Sequence, residues 1–517
     1  MYCLKRAQLL IIVALVSTVS AACAEVRLPK ILSDHAILQR YEPIRIWGWA
    51  TPGEAVTVQF HGQERIAVAN ELGKWKLWFS PEAAGGPYTI VVSGRTRDEK
   101  EAVSSITLND ILVGDLWVAS GQSNMQMPMK GFASVSAYVA NGAEELNHAD
   151  LNDVRLLHLA RTSSYFPLDD ISSSWTQCTK QTAADFSAIA YFFARNLKEK
   201  EQVPIGIIDA TWGGTPIFSW LSMDQIGSDP GLMTIFSAWS QFTDSLTDRE
   251  LILQKENRED DAAEKAGKLR PEHPWHQDGI PSQPASLYNG MIAPLTHFAI
   301  KGVIWYQGET ETHDNPSQSL DYARTFAALI QDWRTHWGIG DFPFLYVQIS
   351  SFSAPQDDEA WGAIRDAQRR VLSVNNTAMV VTLDVGEKNN VHPSDKQTVA
   401  ARLALAAGAL AYRKRDIEYS GPLFRRAISA GSEMRVAFDS SASGLVVHGP
   451  QLEGFELAGP DGKFLPATAQ IDSSSVVIIQ SQVVRNPVYV RYGWKSWSNA
   501  NLFNGQGLPA STFTSKY

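Results

Sequence analysis

"GDLWVASGQSNMQMPM", residues 114–129, begins as an apolar run and then changes character at Gly121-Gln122-Ser123-Asn124, before three methionines at alternate positions. The run reads as a short strand buried on both faces, so the residues after it lie at the strand's carboxyl end. Four more runs have the same form: "IGIIDA" (205–210), "GVIWYQ" (302–307), "FLYVQIS" (344–350) and "MVVTLD" (379–384). Helical stripes separate them. Phe186, Ile189, Phe193 and Leu197 share one face of one predicted helix, and Tyr322, Phe326, Leu329 and Trp333 share a face of another. Continuous apolar runs alternating with amphipathic helices predict an α/β domain whose parallel sheet is covered on both sides. In such sheets ligands bind outside the carboxyl ends of the strands, which selects a short set of residues for inspection.

Outward from this core the pattern changes. Residues 25–110 carry short alternating segments such as "IRIWGWA" and "AVTVQF" between turn signals at Pro52-Gly53 and Gly85-Gly86-Pro87, which predicts a β-sandwich. Residues 416–517 return to strands such as "MRVAFD" and "PVYVRYGW", a second β-module. The catalytic domain is then 111–415, interrupted at 225–285 by a charged helical excursion, either a solvated surface helix or a lid over the cleft. Residues 1–24 read as an export signal: Lys5 and Arg6 precede the apolar run Leu9–Val16, and Ala22-Cys23-Ala24 fits a cleavage site. A lipoprotein anchored through Cys23 is the alternative. Export predicts a periplasmic or extracellular protein.

A chain of 517 residues needs more than one domain, and a net charge of −10 argues against nucleic acid or an anionic membrane as partner. No later stretch is apolar enough to span a membrane. Cleavage would leave Cys178 as the single cysteine of three, too few for a disulfide within the chain or a cysteine zinc site. The 16 tryptophans permit a carbohydrate ligand, since sugars stack on flat rings.

At the strand ends, Ser123 follows the first run and Gly213-Gly214 the second, in "TWGGTPIFSW". Gln307 and Glu309 end the third, in "YQGETE", and "DVGEKNNVHPSDKQ" after the last run brings His392. Ser394 with Gln397 predicts a capping box for the helix that follows. Taken singly these are a turn, a glycine pair and a lone histidine. Together they fill the roles of acyl transfer: a hydroxyl, a base, a carboxylate to hold the base, and donors for an oxyanion. The motif is not the G-x-S-x-G elbow, because Met125 stands at the last glycine position.

These blocks resemble the SGNH hydrolases, specifically the sialate O-acetylesterase-like group and the related carbohydrate esterase family 20. "ILSDHAILQR", "GDLWVASGQSNMQM", "WGGTPIFSW", "LYNGMIAPL", "GVIWYQGETE" and "VHPSDK" carry the resemblance in order. It implies a three-layer α/β/α, flavodoxin-like SGNH-hydrolase catalytic domain with attached all-β sandwich or jelly-roll modules, no metal or other cofactor, and removal of acetyl esters from sugars. Ser123 is then the nucleophile, His392 the base, and Gly214 and Gln307 the oxyanion donors. Many members carry an aspartate two or three residues before the histidine, where this chain has Asn390 and Asn389. The acid is therefore assigned to Glu309, with Asp384 in reserve. The expected substrate is an O-acetylated plant polysaccharide such as xyloglucan or xylan. The alternatives are a sialate O-acetylesterase and an inactive carbohydrate-binding protein.

Overall fold

A computed structural model of the chain describes residues 26–95, 104–133, 137–271, 273, 276, 281–312, 321–354 and 358–516. The predicted export signal lies outside them. Strands β1 (Ile37–Gln39), β2 (Ile44–Trp49), β3 (Ala55–Phe60), β4 (Gln63–Val68), β5 (Lys74–Phe79) and β6 (Gly85–Arg95) form the N-terminal module. β2 pairs with β5 as a separate ribbon, while β3, β4 and β6 join one sheet with β7 (Ser104–Gly121). Strand β7 crosses the expected boundary at 110/111. Its first half pairs antiparallel with β6, and from Asp115 to Gly121 it is a central strand of the catalytic sheet. The N-terminal module therefore shares a continuous hydrophobic core with the catalytic domain.

That sheet runs β13–β12–β11–β7–β10–β8–β9, with β8 (Leu151–His158), β9 (Thr176–Cys178), β10 (Ile205–Thr211), β11 (Gly302–Tyr306), β12 (Phe344–Val347) and β13 (Thr377–Val380). All neighbouring pairs are parallel except β8 with β9. Every residue of β10, β11, β12 and β13 is buried, as continuous apolar runs require. Helices cover both faces. On one, Phe193 of helix Ala188–Glu201 packs edge-on against Trp117 at 5.0 Å. On the other, Phe326 and Trp333 of helix Tyr322–Trp337 pack against Trp305 and Phe344. The predicted stripe residues Phe186, Ile189, Phe193 and Leu197 are all buried, as are Tyr322, Phe326, Leu329 and Trp333.

The excursion contains helices Thr234–Asp244 and Leu246–Lys265, the second exposing Leu251, Ile252 and Leu253. The C-terminal module has its own core around Val436, Leu457, Val477, Val490 and Phe513. It docks through Arg365 of helix Asp358–Arg370, whose buried guanidinium donates to the carbonyls of Ile349 (3.0 Å), Ser350 (2.8 Å), Lys495 (2.9 Å) and Ser496 (2.9 Å). Among the described residues no helix is long and apolar enough to cross a membrane.

Candidate active site

Gly121 ends β7 at φ +128°, and a Cβ there would lie 2.1 Å from the Tyr306 carbonyl oxygen. Only glycine lets the chain turn this closely against β11; the Gln122 N–H then closes on the same oxygen at 2.9 Å. Ser123 is the first residue of the four-residue helix Ser123–Gln126 (α1). Met125, Met127 and Met129 are buried beneath it, as packing rather than chemistry.

The other polar residues of this stretch are each committed to a different loop. Gln122 Oε1 accepts from the N–H groups of Gly308 (3.2 Å) and Thr310 (3.3 Å). Asn124 Nδ2 donates to Glu309 Oε1 (2.5 Å) and to the Val391 carbonyl (2.9 Å), and its Oδ1 accepts from Lys396 Nζ (2.7 Å). Gln126 Oε1 accepts from Gly213 N–H at 2.6 Å. Three side chains thus tie α1 to the loops after β10, β11 and β13, and the half-buried Ser123 keeps an Oγ with no hydrogen bond among the described residues.

The same bonds fix the neighbourhood. Gly213 lies against Ser123, since a Cβ on it would sit 3.1 Å from Ser123 Cβ. The bond from Asn124 to Val391 joins the residues next to Ser123 and His392, so both come to one corner of the sheet. His392 is held by its backbone: its N–H donates to Asn390 Oδ1 (3.0 Å) and its carbonyl accepts from Asn390 Nδ2 (2.8 Å). Asn390, standing where an acid is common, is therefore a loop brace. The His392 ring lies edge-on to Phe132 at 5.5 Å. Burial and the Lys396 cation push its pKa down to about 4, so the imidazole is neutral near pH 7.

The carbohydrate esterase family described as sialic acid-specific acetylesterase matches residues 270–410, a segment that holds Glu309 and His392. The chain is 30% identical to the sialate O-acetylesterase of Pongo abelii, over 91% of this chain and 88% of that protein. It is 29% identical to that of Homo sapiens with the same coverage. A carbohydrate acetylesterase from Xanthomonas citri superposes with a TM-score of 0.79 at 34% identity, covering 95% of this chain and 99% of that one. The chain belongs to the sialate O-acetylesterase-like family. It is an acetylesterase, a carboxylic ester hydrolase.

Within this acetylesterase one expected donor needs correction. Gln307 is fully buried, and its amide is spent on the Thr215 carbonyl (3.2 Å) and Glu311 Oε2 (2.5 Å), while its Oε1 accepts from Tyr322 Oη (2.8 Å). The reason is Glu311, a buried carboxyl with pKa raised to about 7 by desolvation, which draws its donors from Gln307 and the Ile217 N–H. Gly214, at φ +71°, has no acceptor for its N–H among the described residues. The Ser123 N–H, in the first turn of α1, belongs to the class of donors a helix leaves unpaired.

The carboxylates are placed unequally. Asp384 is gripped by Arg402, Nη1 to Oδ1 at 2.8 Å and Nη2 to Oδ2 at 2.6 Å. Glu309 is 4% exposed; Oε1 takes Asn124, and Oε2 has no partner among the described residues. Burial raises its pKa, opposed by the Asn124 bond and the Lys396 cation. Among the described residues no carboxylate is ion-paired with the His392 ring. Asn124 and Lys396 are the site members that sequence reasoning missed. Both stand inside quoted motifs, yet they meet only through a contact 272 residues apart. The expected capping box is replaced by a one-way cap one residue on: Asp395, not Ser394, caps helix Lys396–Leu410 by accepting from Thr398 N–H, and Ser394 N–H goes to Glu387 instead.

Proposed function

We propose that Ser123 is the nucleophile of a sugar O-acetylesterase and His392 its general base, on an SGNH-type α/β/α domain. The observation that carries this is the selective freedom of Ser123 Oγ amid three neighbouring polar side chains locked to other loops. His392, neutral at pH 7, takes the Ser123 proton as Oγ attacks the acetyl carbonyl. The N–H groups of Gly214 and Ser123 receive the oxyanion. Collapse expels the sugar hydroxyl, which takes its proton back from His392, and water then hydrolyses the acetyl-enzyme by the same route. Glu309, through the Oε2 that has no partner among the described residues, is the carboxylate that steadies the imidazolium.

The names of the mammalian relatives support O-acetylated sialic acid as substrate, the alternative of the sequence analysis, over plant polysaccharide. The Xanthomonas citri carbohydrate acetylesterase at 34% identity fits either reading, since its name specifies no particular sugar. Acetate release measured side by side on O-acetylated sialosides, xyloglucan and xylan decides between them: sialosides are expected to give the highest kcat/KM, and a preference for either hemicellulose reverses the choice. The sequence of residues 1–24 supports export to the periplasm or medium.

The buried Lys396 gives a pH test. Burial first, and the Lys396 charge second, disfavour imidazolium, so the acid limb of kcat/KM is expected well below the ordinary histidine value of about 6.5. Lys396→Gln keeps a donor for Asn124 while removing the charge. The variant's limb is expected to move to higher pH by about 1 unit. An unmoved limb would separate Lys396 from the base.

A further inference from the structure

The N-terminal ribbon carries a feature that the esterase chemistry does not use. In its register Arg45 faces Trp78, Trp47 faces Lys76, and Trp49 faces Lys74. Strand alternation puts these six residues on one side, while Ile44, Ile46, Trp75, Leu77 and Phe79 are buried on the other. On that side Trp47 is buried in the core, and the part that reaches solvent, Arg45, Trp49, Lys74, Lys76 and Trp78, consists of tryptophans and cations in a chain of net charge −10. The rings and charges interleave: the Arg45 guanidinium lies 5.5 Å from the Trp47 ring and 5.7 Å from that of Trp78, and Lys76 Nζ lies 5.5 Å from Trp78.

This face borders a cavity of about 210 Å³ whose lining includes Arg45, Trp49, Lys76, Asp169 and His297, with Trp78 beside it rather than in its lining. Its volume is below the roughly 300–1,000 Å³ of sites that enclose a drug-sized ligand, which fits a single sugar unit. The charges are not balanced internally. Lys74 pairs with Asp169, but Arg45 and Lys76 have no carboxylate partner among the described residues. Arg45 Nε is buried without an acceptor among the described residues. A guanidinium left without an anion between two rings is costly unless something supplies the missing acceptor. Burial without a counter-charge accordingly lowers the Arg45 pKa.

We infer that this face is a second saccharide-binding site, accepting a sugar unit that carries a carboxylate: the carboxylate meets Arg45 and Lys76, and the ring stacks on an exposed tryptophan face. Trp78 is 47% exposed and available for stacking. The ribbon belongs to the module from which β7 departs, whereas Ser123 lies beyond the strand's far end. Occupying one site therefore leaves the other open.

The test uses full-length Ser123→Ala protein, so that no ester is turned over, titrated with N-acetylneuraminate, with galacturonate oligomers and with neutral galactose and xylose oligomers. Calorimetry and tryptophan fluorescence report binding. One or both acidic sugars are expected to bind saturably and more weakly at high salt, and whichever binds identifies the source of the carboxylate. Arg45→Gln, and independently the exposed-face changes Trp78→Ala and Lys76→Glu, are each expected to weaken binding at least 10-fold. In the Ser123-intact background the same three changes leave 4-nitrophenyl acetate turnover unaltered. Absence of binding by both acidic sugars, equal binding of neutral ones, or binding indifferent to Trp78→Ala and Lys76→Glu overturns the inference.

Discussion

Replacing Ser123 with alanine is expected to lower acetate release from 4-nitrophenyl acetate by about 10,000- to 1,000,000-fold, the loss typical of removing a serine nucleophile. The structure makes this an unusually clean substitution. Ser123 Oγ has no hydrogen bond among the described residues, so its removal orphans no partner. Stability should therefore stay within about 0.5 kcal/mol of the parent, measured by denaturant unfolding. Its neighbours offer the contrast. Asn124→Ala would strip Glu309, Lys396 and the Val391 carbonyl of a shared partner, and loss of activity there would be inseparable from loss of the loop. A Ser123→Ala protein that folds and retains full turnover excludes the acyl-enzyme route.

The reasons for this selectivity were partly legible in the sequence. Strands buried on both faces announce themselves as unbroken apolar runs, so β7, β10, β11, β12 and β13 were readable, and with them the strand-end positions of Ser123, Gly214 and His392. β8 was not read, because only four of its eight residues, Val154 to Leu157, are buried, and Asn152, Asp153 and Arg155 break the apolar run. The boundary expected at 110/111 falls inside a strand for a different reason. A strand that leaves one sheet and enters another shows no turn, and β7 continues through that point for 18 residues.

Gln307 exposes the limit of the strand-end rule. The rule finds the edge of the sheet but does not say which way a side chain points, and Gln307 serves the buried Glu311 rather than the cleft. Asn124 and Lys396 lay beyond sequence reasoning for a related reason. Each reads as an ordinary loop or first-turn residue until the fold brings them to 2.7 Å, where Lys396 adds to the effect of burial on His392.

Glu309→Gln carries the second large effect, an expected fall in kcat of about 1,000- to 10,000-fold, comparable to amide replacement of the acid in a serine triad. The amide can keep the Asn124 bond through its oxygen, but its nitrogen then occupies the place of Oε2, the buried oxygen without a partner among the described residues. A donor there cannot receive the proton-bearing edge of an imidazolium. Asp384→Asn should behave in the opposite way. It weakens the fork with Arg402, which also donates to the Val381 carbonyl at 2.7 Å, and so costs about 1–3 kcal/mol of stability while leaving turnover per folded molecule nearly unchanged. Kinetics at saturating substrate, normalised to folded protein, separate the two. A silent Glu309→Gln beside an inactive Asp384→Asn transfers the role to Asp384. If both variants stay active, His392 works as a base without a carboxylate, which its depressed pKa would permit only at the expense of a poorly stabilised imidazolium, and the pH profile of kcat would then rise with the intrinsic basicity of the ring.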